Sequence, residues 1–167
     1  MIVLDASTLI LIARMEALDL FLGDRTMEVA IPVEVEGECC AVKRSLDALM
    51  IQKALAESKI KVVDVKNKKL VTKMRQDFSM GKGEAEAIAL ALAERARIIG
   101  IGDKDGINAC KLLGVPFTTA INILVRMREK QLLTITEALG KLAALAKYGR
   151  YGQSILEDAR RRLEETA

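Results

Sequence analysis

The chain has 167 residues, of which 51% are hydrophobic and 29% are charged, a length and balance that favour one globular domain with one core. Aromatic residues make up only 3% of the chain, which argues against a base-stacking platform for single strands. The formal net charge of +3 does not by itself indicate nucleic-acid binding. Histidine is absent, which excludes a Ser-His-Asp triad, a Cys-His pair and any zinc site with a histidine ligand.

The first predicted element is a short strand, residues 2–4, that runs directly into an acid, Asp5. Runs that are apolar on both faces are typical of the centre of a parallel sheet. A carboxylate at the end of such a strand carries a desolvation cost unless a metal, another cation or hydrogen bonds compensate it. Asp5 is therefore expected to be either a helix N-cap or part of a charged site.

The remaining elements alternate between short apolar runs and helical periods. Further strands are predicted at residues 27–31, 60–65, 98–101 and 115–117. Helices are predicted at residues 7–21, from Pro32 to Leu49 with a break near Ser45, and at 67–78, 84–97, 104–113, 119–128, 136–148 and 154–165. This alternation predicts an α/β fold with a central, mostly parallel sheet of about four or five strands and helices on both faces.

Acids follow two of the buried strands. Asp5 comes after residues 2–4 and Asp103 comes after residues 98–101. Ligands of an open parallel sheet bind beyond the carboxyl ends of its strands, so the two carboxylates share one crevice if these strands are neighbours. Two carboxylates at such a short distance raise each other's pKa unless a cation lies between them. Carboxylate oxygens are ligands that suit Mg²⁺ or Mn²⁺.

The start of the 84–97 helix offers two further acids, Glu84 and Glu86. Residues two apart do not share a helix face. The spacing favours Glu84 as the acid that points into the crevice, because Glu84 lies on the same side of the helix as the expected inner face. That face consists of Ala87, Ile88, Ala91 and Leu92. A glutamate in a first helical turn can also be there for the helix dipole alone.

Three glutamates crowd the helix after Pro32, namely Glu34, Glu36 and Glu38. Glu38 lies three residues beyond the apolar Val35, so it is the one expected at the edge of the crevice. Glu34 and Glu36 stay open as alternatives. Asp105, after the fourth strand, is a further candidate.

Basic residues near these acids are candidates for contact with a phosphate backbone. They are Lys82 before Glu84, Lys104 beside Asp103, and Arg14 on the first helix. Each can equally be a solvated surface charge. The arginine run at 160–162 is typical of the last turn of a helix, where the dipole favours cations.

The three cysteines, Cys39, Cys40 and Cys110, are odd in number and lack zinc-site spacing, which indicates reduced thiols in a cytoplasm. The first residues lack the basic segment of a signal peptide. No apolar run reaches the roughly 18 residues of a membrane span. A cytoplasmic protein without a membrane span is therefore expected.

Five segments together resemble the PIN-domain nucleases, over nearly the whole chain and in the branch with toxin-like bacterial and archaeal members. They are VLDAS at 3–7, IP…VEGE at 31–38, GKGEAEAIALALA at 81–93, Asp103 after its buried strand, and GVPFTTAINILV at 114–125. The glycine-plus-GEAEAIALA segment is the most specific of them. The resemblance implies a compact three-layer α/β/α sandwich and metal-dependent cleavage of single-stranded RNA.

Carried over residue by residue, the family's acidic quartet is Asp5, Glu38, Glu84 and Asp103, and Ser7 matches its small polar residue. Three of these acids, Asp5, Glu84 and Asp103, would hold Mg²⁺ or Mn²⁺, which lowers the pKa of a bound water for in-line attack on phosphorus. Glu38 would orient that water or hold a second ion. The expected products carry a 5′-phosphate and a 3′-hydroxyl.

The resemblance also bears on domains and partners. Residues from 1 to about 130 would form the nuclease core, and those from about 131 to 167 a C-terminal helical extension. A toxin restrained by a small antitoxin protein, and a homodimer, are further expectations. The segment from 119 to 132 is expected to offer apolar surface for the dimer, from Ile121, Leu124, Val125 and Met127.

The chain departs from the family pattern beside Asp103. Many relatives have two adjacent acids where this chain has Gly102–Asp103. This departure supports a second hypothesis, a PIN-like binding or assembly module that has lost activity. A Rossmann nucleotide site is disfavoured, because Gly100, Gly102 and Gly106 lack the required spacing.

Overall fold

The computed structural model describes residues 1–24, 26–41 and 44–166. Its five strands are β1 (Ile2–Leu4), β2 (Val29–Pro32), β3 (Lys61–Val63), β4 (Ile98–Gly100) and β5 (Phe117–Thr118). The helices found among these residues are α1 (Ala6–Arg14), α2 (Leu18–Gly23), α3 (Val33–Cys40), α4 (Leu46–Ala56), α5 (Lys68–Phe78), α6 (Lys82–Ala93), α7 (Lys104–Leu113), α8 (Ala120–Glu129), α9 (Ile135–Tyr148) and α10 (Gln153–Glu165).

The five strands form one sheet in the order β3-β2-β1-β4-β5, and all neighbouring pairs are parallel. The chain builds outward from β1 to one side through β2 and β3, and then to the other side through β4 and β5. The order of the strands therefore reverses between β1 and β4, the position at which ligands bind in open α/β sheets. The expectation that these two strands are neighbours is confirmed.

Apolar side chains fill both faces of the sheet. Successive residues of a strand point to opposite faces, and Ile2 and Leu4 belong to one buried cluster while Val3 belongs to another. The first cluster includes residues of α1, α8, α9 and α10, and the second is built mainly on α5, α6 and α7. The predicted three-layer α/β/α fold is confirmed.

The C-terminal helices α9 and α10 pack on α8 and on each other, and α9 also contacts α1. Their buried residues Leu142, Leu145, Ala159 and Leu163 belong to the same cluster as Ile2 and Leu4. Since α9 and α10 share that cluster, they extend the layer on this face of the sheet.

The helix predicted over residues 7–21 is divided into α1 and α2, because α1 ends in a Schellman motif. Glu16 has a φ of 54°, and the N–H groups of Glu16 and Ala17 donate to the carbonyls of Ala13 and Ile12. The amine of Lys141 adds bonds of 3.1 and 3.0 Å to the carbonyls of Met15 and Glu16. Glycine usually marks this motif, so its absence hid the helix end from sequence reasoning.

Helix α6 ends at Ala93 rather than Arg97 for the same reason, with Arg95 at a φ of 48°. The helix is buried along most of its length, from Ala85 to Ala91, because it packs between α3, α5, α7 and the sheet. Leu92 was expected on its inner face but is 37% exposed, so that prediction is wrong.

The break expected near Ser45 is present, since α3 ends at Cys40 and Ser45 is the N-cap of α4. Residues 42 and 43 of that predicted helix lie outside the described residues. The expectation of apolar surface on α8 is wrong, because the four residues proposed for it are buried within the chain itself: Ile121, Leu124, Val125 and Met127. Within the described ranges, none of the helices combines the length and hydropathy needed to cross a bilayer.

Candidate metal centre

A cavity of about 250 Å³ opens at the carboxyl edge of the sheet, where the strand order reverses, and four acids line it. Each acid comes from a different part of the fold: Asp5 follows β1, Glu38 lies in α3, Glu84 lies in the first turn of α6 and Asp103 follows β4. The structure thus brings together all four acids of the predicted quartet. Among the three glutamates after Pro32, Glu38 is the one that reaches the cavity.

Asp5 is the most buried of the four acids, with 1% of its surface exposed. It is the N-cap of α1: the Thr8 N–H donates to its Oδ1 at 2.7 Å, and the Ser7 hydroxyl donates to its Oδ2 at 2.9 Å. Burial raises the pKa of Asp5, although these hydrogen bonds partly oppose the rise. These two bonds fix the orientation of the carboxyl group, and neither of the two partners is a cation.

The pKa of Glu84 is affected by the charges of all three other acids. Burial raises its pKa to about 7, and the negative charges of Asp103, Asp5 and Glu38 contribute to the rise. The Gly81 N–H, which donates to Glu84 Oε2 at 3.2 Å, acts in the opposite direction. A carboxyl group in this environment keeps its proton to near neutral pH unless a cation compensates the cluster.

Glycine residues allow the carboxylates to approach the helices. A Cβ atom at Gly83 would lie 2.4 Å from Oε1 of Glu38, and one at Gly106 would lie 3.4 Å from Oε1 of Glu84. Gly83 is buried in the first turn of α6, where alanine would be the better helix former. The missing side chain is therefore explained by the space that Glu38 occupies.

We expect Gly83→Ala to separate stability from activity. The added methyl group displaces the Glu38 carboxylate, so metal-dependent cleavage should fall by about 10-fold or more. Because Glu38 can rotate away and alanine is favoured in helices, the free energy of unfolding should stay level or rise by up to about 1 kcal/mol. Chemical denaturation and a cleavage assay measure the two effects, and a loss of stability without a loss of rate would contradict this prediction.

Asp103 lies at the rim of the cavity. It is exposed and forms the N-cap of α7, where its Oδ1 accepts a 2.9 Å hydrogen bond from the Asp105 N–H. Ser7 also lines the cavity, as expected. The carboxyl group of Asp105 is not part of the lining; this residue contributes its backbone to the cap of α7 instead.

The other glutamates considered from the sequence lie outside the cavity lining. Glu86 is 2% exposed, and its Oε1 accepts a bond of 3.3 Å from the amine of Lys68 on α5. Glu34 forms an ion pair of 2.5 Å with Lys82. Glu36 is half-buried on α3. The spacing argument that favoured Glu84 over Glu86 agrees with this placement.

Two of the three predicted phosphate-binding cations have acidic partners. Lys82 forms an ion pair with Glu34. The Nε of Arg14 lies 3.7 Å from Oδ1 of Asp47, and its Cζ lies 5.2 Å from the ring centroid of Tyr148. Lys104, the first residue of α7, is exposed. Arg14 also lines a larger groove of about 830 Å³ that shares Ser7 and Asp103 with the acidic cavity.

Sequence reasoning missed the turn between α9 and α10 as part of this groove. Tyr148, Arg150 and Tyr151 from that turn all line it. A signal was present, since the chain has only two tyrosines and both occur in the segment YGRYG at 148–152.

The donor set of the cavity fits a hard divalent cation. Its ligands would be carboxylate oxygens, which suit Mg²⁺ and Mn²⁺, and among the residues that the structure describes the buried Asp5 has no cationic partner. In the described ranges, no group of three or more acidic or cysteine side chains is already arranged to hold a metal ion. The Gly81 N–H donates to Oε2 of Glu84 and the Asp105 N–H donates to Oδ1 of Asp103, and each carboxylate has a second oxygen that can bind an ion.

Comparison with known proteins agrees with the fold. The family model DUF3368, described as a PIN domain, matches residues 1–165. No curated protein and no solved structure matches the chain.

Proposed function

The chain belongs to the PIN-domain family, and from that premise we propose that it is a Mg²⁺- or Mn²⁺-dependent endoribonuclease that cleaves single-stranded RNA. Proteins with this domain are generally nucleases. The observation that carries the proposal is the convergence of Asp5, Glu38, Glu84 and Asp103 on one cavity. Oxygen ligands gathered in this way are the usual means by which a protein without histidine supports phosphodiester hydrolysis.

Each acid has a separate part in the proposed reaction. Asp5, Glu84 and Asp103 would hold the ion, which would supply a Lewis acid that activates water for attack on phosphorus. The orientation of the Asp5 carboxyl group is fixed, because the Thr8 N–H and the Ser7 hydroxyl each donate a hydrogen bond to one of its two oxygens. Glu38 is exposed, so water reaches it, and it orients the attacking water and accepts its proton.

Metal removal tests the proposal directly. We expect a fluorescently labelled single-stranded RNA to be cut in Mn²⁺ or Mg²⁺, and to stay intact in EDTA, with activity returning when the metal is restored. The products should end in a 5′-phosphate and a 3′-hydroxyl, which end-labelling detects. Cleavage that persists in EDTA would rule out the metal-dependent mechanism.

A second candidate function is a binding or assembly module without catalysis. It is favoured by the lack of a ready-made three-ligand arrangement among the described acids, and by Gly102 standing beside Asp103. Calorimetry separates the two functions. The nuclease should take up Mn²⁺ at concentrations up to about 1 mM with release of protons, whereas no uptake would favour the module.

We further propose that the chain is the toxin of a toxin–antitoxin pair and that it forms a homodimer. The exposed apolar residues Leu46 and Leu49 on α4, 64% and 52% exposed, are a candidate surface for a protein partner. Light scattering measures the mass of the isolated chain. Co-expression with the product of the adjacent gene tests the pairing, since an antitoxin should suppress the cleavage.

A further inference from the structure

The large groove beside the acidic cavity has walls from distant parts of the chain. On one side lie Ser7 and Arg14 of α1, and on another lies the turn at 148–152 with the start of α10. The groove shares Ser7 and Asp103 with the acidic cavity. A strand of nucleic acid lying in the groove would therefore run directly past the four acids.

Tyr151 is the residue of the turn whose aromatic ring is half-buried in the groove wall. Its half-buried ring packs on Gly149, where a Cβ atom would lie 2.4 Å from ring atom Cε2. Burial raises the pKa of Tyr151, and the negative charge of Asp5 contributes to the rise. Tyr151 lines the same groove as Ser7 and Asp103, the two residues that also line the acidic cavity.

Tyr148 anchors the other end of the turn. Its ring has the guanidinium of Arg14 at 5.2 Å from the centroid and the amine of Lys147 at 5.3 Å. Cations at such distances are attracted to the ring. These contacts place the α9–α10 turn against α1 and hold positive charge at the groove wall.

The groove carries cations that the chain does not fully neutralise. Arg150 is exposed, and among the described residues it makes no hydrogen bond or ion pair. Arg162 donates to the side chain of Asn122 at 2.9 Å, a neutral partner. The acid Asp158 in the groove wall is already paired with Arg161. Away from Asp103 the wall is therefore positive, the opposite of the acidic cavity beside it.

We propose that the turn at 148–152 is a nucleotide-binding wall of the site, in which Arg150 contacts a phosphate and Tyr151 positions the nucleotide beside the scissile bond. The proposal rests on the proposed function for its substrate, single-stranded RNA. An exposed arginine in the same turn as two tyrosines fits an unstacked single strand, because the cation can bind a phosphate and a ring can stack on a base. The C-terminal helices thus contribute binding residues to the site as well as packing.

Binding in EDTA tests this wall without cleavage. The probe is a fluorescein-labelled single-stranded RNA of about 12 nucleotides, followed by fluorescence anisotropy at several salt concentrations. Arg150→Ala should weaken binding about 3- to 10-fold at low salt and reduce the slope of log K against log salt by about 0.7, the value for one phosphate contact on a single strand. Tyr151→Ala should weaken binding, and Tyr151→Phe should retain most of it.

Arg160→Ala is the matched control, because Arg160 lies on α10 outside the groove lining and pairs with Glu164 at 3.7 Å. The proposal fails if Arg150→Ala and Arg160→Ala bind RNA equally well. It also fails if an acidic peptide such as polyglutamate competes as well as RNA at equal charge, since the groove would then be a protein-docking surface. Thermal melting shows that each variant is folded.

Cleavage by the same variants in Mn²⁺ separates this proposal from the proposed function. Arg150→Ala should raise KM with little change in kcat, as expected for a lost binding contact. Binding that depends on Arg150 without any cleavage would support the wall and contradict the nuclease. Cleavage that is equal in Arg150→Ala and Arg160→Ala would support the nuclease and overturn the wall.

Discussion

Asp5→Asn is expected to reduce metal-dependent RNA cleavage by about 10³-fold or more while the protein still folds. The amide removes the negative charge of the most buried acid in the cavity. Asparagine is as good an N-cap as aspartate, so the bond from the Thr8 N–H and the start of α1 should survive. Initial rates on labelled RNA in Mn²⁺ measure the loss, and circular dichroism measures the melting temperature.

Asp64→Asn is the matched control for Asp5→Asn. Asp64 directly follows β3 at the same edge of the sheet, but it is exposed and paired with Lys66 and Lys68. We expect its substitution to leave the cleavage rate within about 2-fold of the original, since exposed ion pairs contribute little to stability. If both variants lost activity equally, or if Asp5→Asn cut at the original rate, the metal centre would be wrongly assigned.

Without divalent cations, the stability of the protein should fall as the pH rises from about 4.5 to about 7. In the folded state the pKa of Glu84 is raised from 4.5 to about 7, so in this range the folded state binds more protons than the unfolded state. Stability then decreases with pH. Because solvent reaches this half-buried side chain, we expect a loss of only about 1–2 kcal/mol.

Glu84→Gln isolates this effect, since glutamine can still accept the bond from the Gly81 N–H. The variant should lose less stability over the same pH range, and Mn²⁺ should stabilise it less. In the original protein, Mn²⁺ at about 100 times its Kd should add about 2.7 kcal/mol at pH 7. Denaturant titrations at several pH values measure both quantities. An identical pH dependence in the two proteins would show that Glu84 is not part of the coupled cluster.

The sheet and the acids at its edge could be predicted because they depend on short-range patterns. An apolar run followed by an acid identified both β1 with Asp5 and β4 with Asp103, and the rule for parallel sheets brought their ends together. Helical spacing likewise selected Glu38 and Glu84, since the side of a helix that packs inward also fixes which acid is turned toward the cavity.

The features that were missed depend on contacts between distant residues or on unusual backbone geometry. Lys82 and Arg14 have acidic partners, Glu34 and Asp47, that are far away in the sequence. Glu16 and Arg95 end their helices in a conformation that glycine normally adopts. The groove that Tyr151 shares with Ser7 and Asp103 exists only once α9 and α10 have packed on the core.

The central position of β1 has a consequence for how the protein is made. β1 lies between β2 and β4, so during synthesis one edge of the first strand stays without its partner until residues 98–100 have left the ribosome. The last acid, Asp103, arrives at the same stage, and the Tyr-Gly-Arg-Tyr-Gly turn arrives later still. A nascent chain in which Asp103 has not yet emerged therefore cannot assemble the acidic cavity, whose four acids all lie between residues 5 and 103.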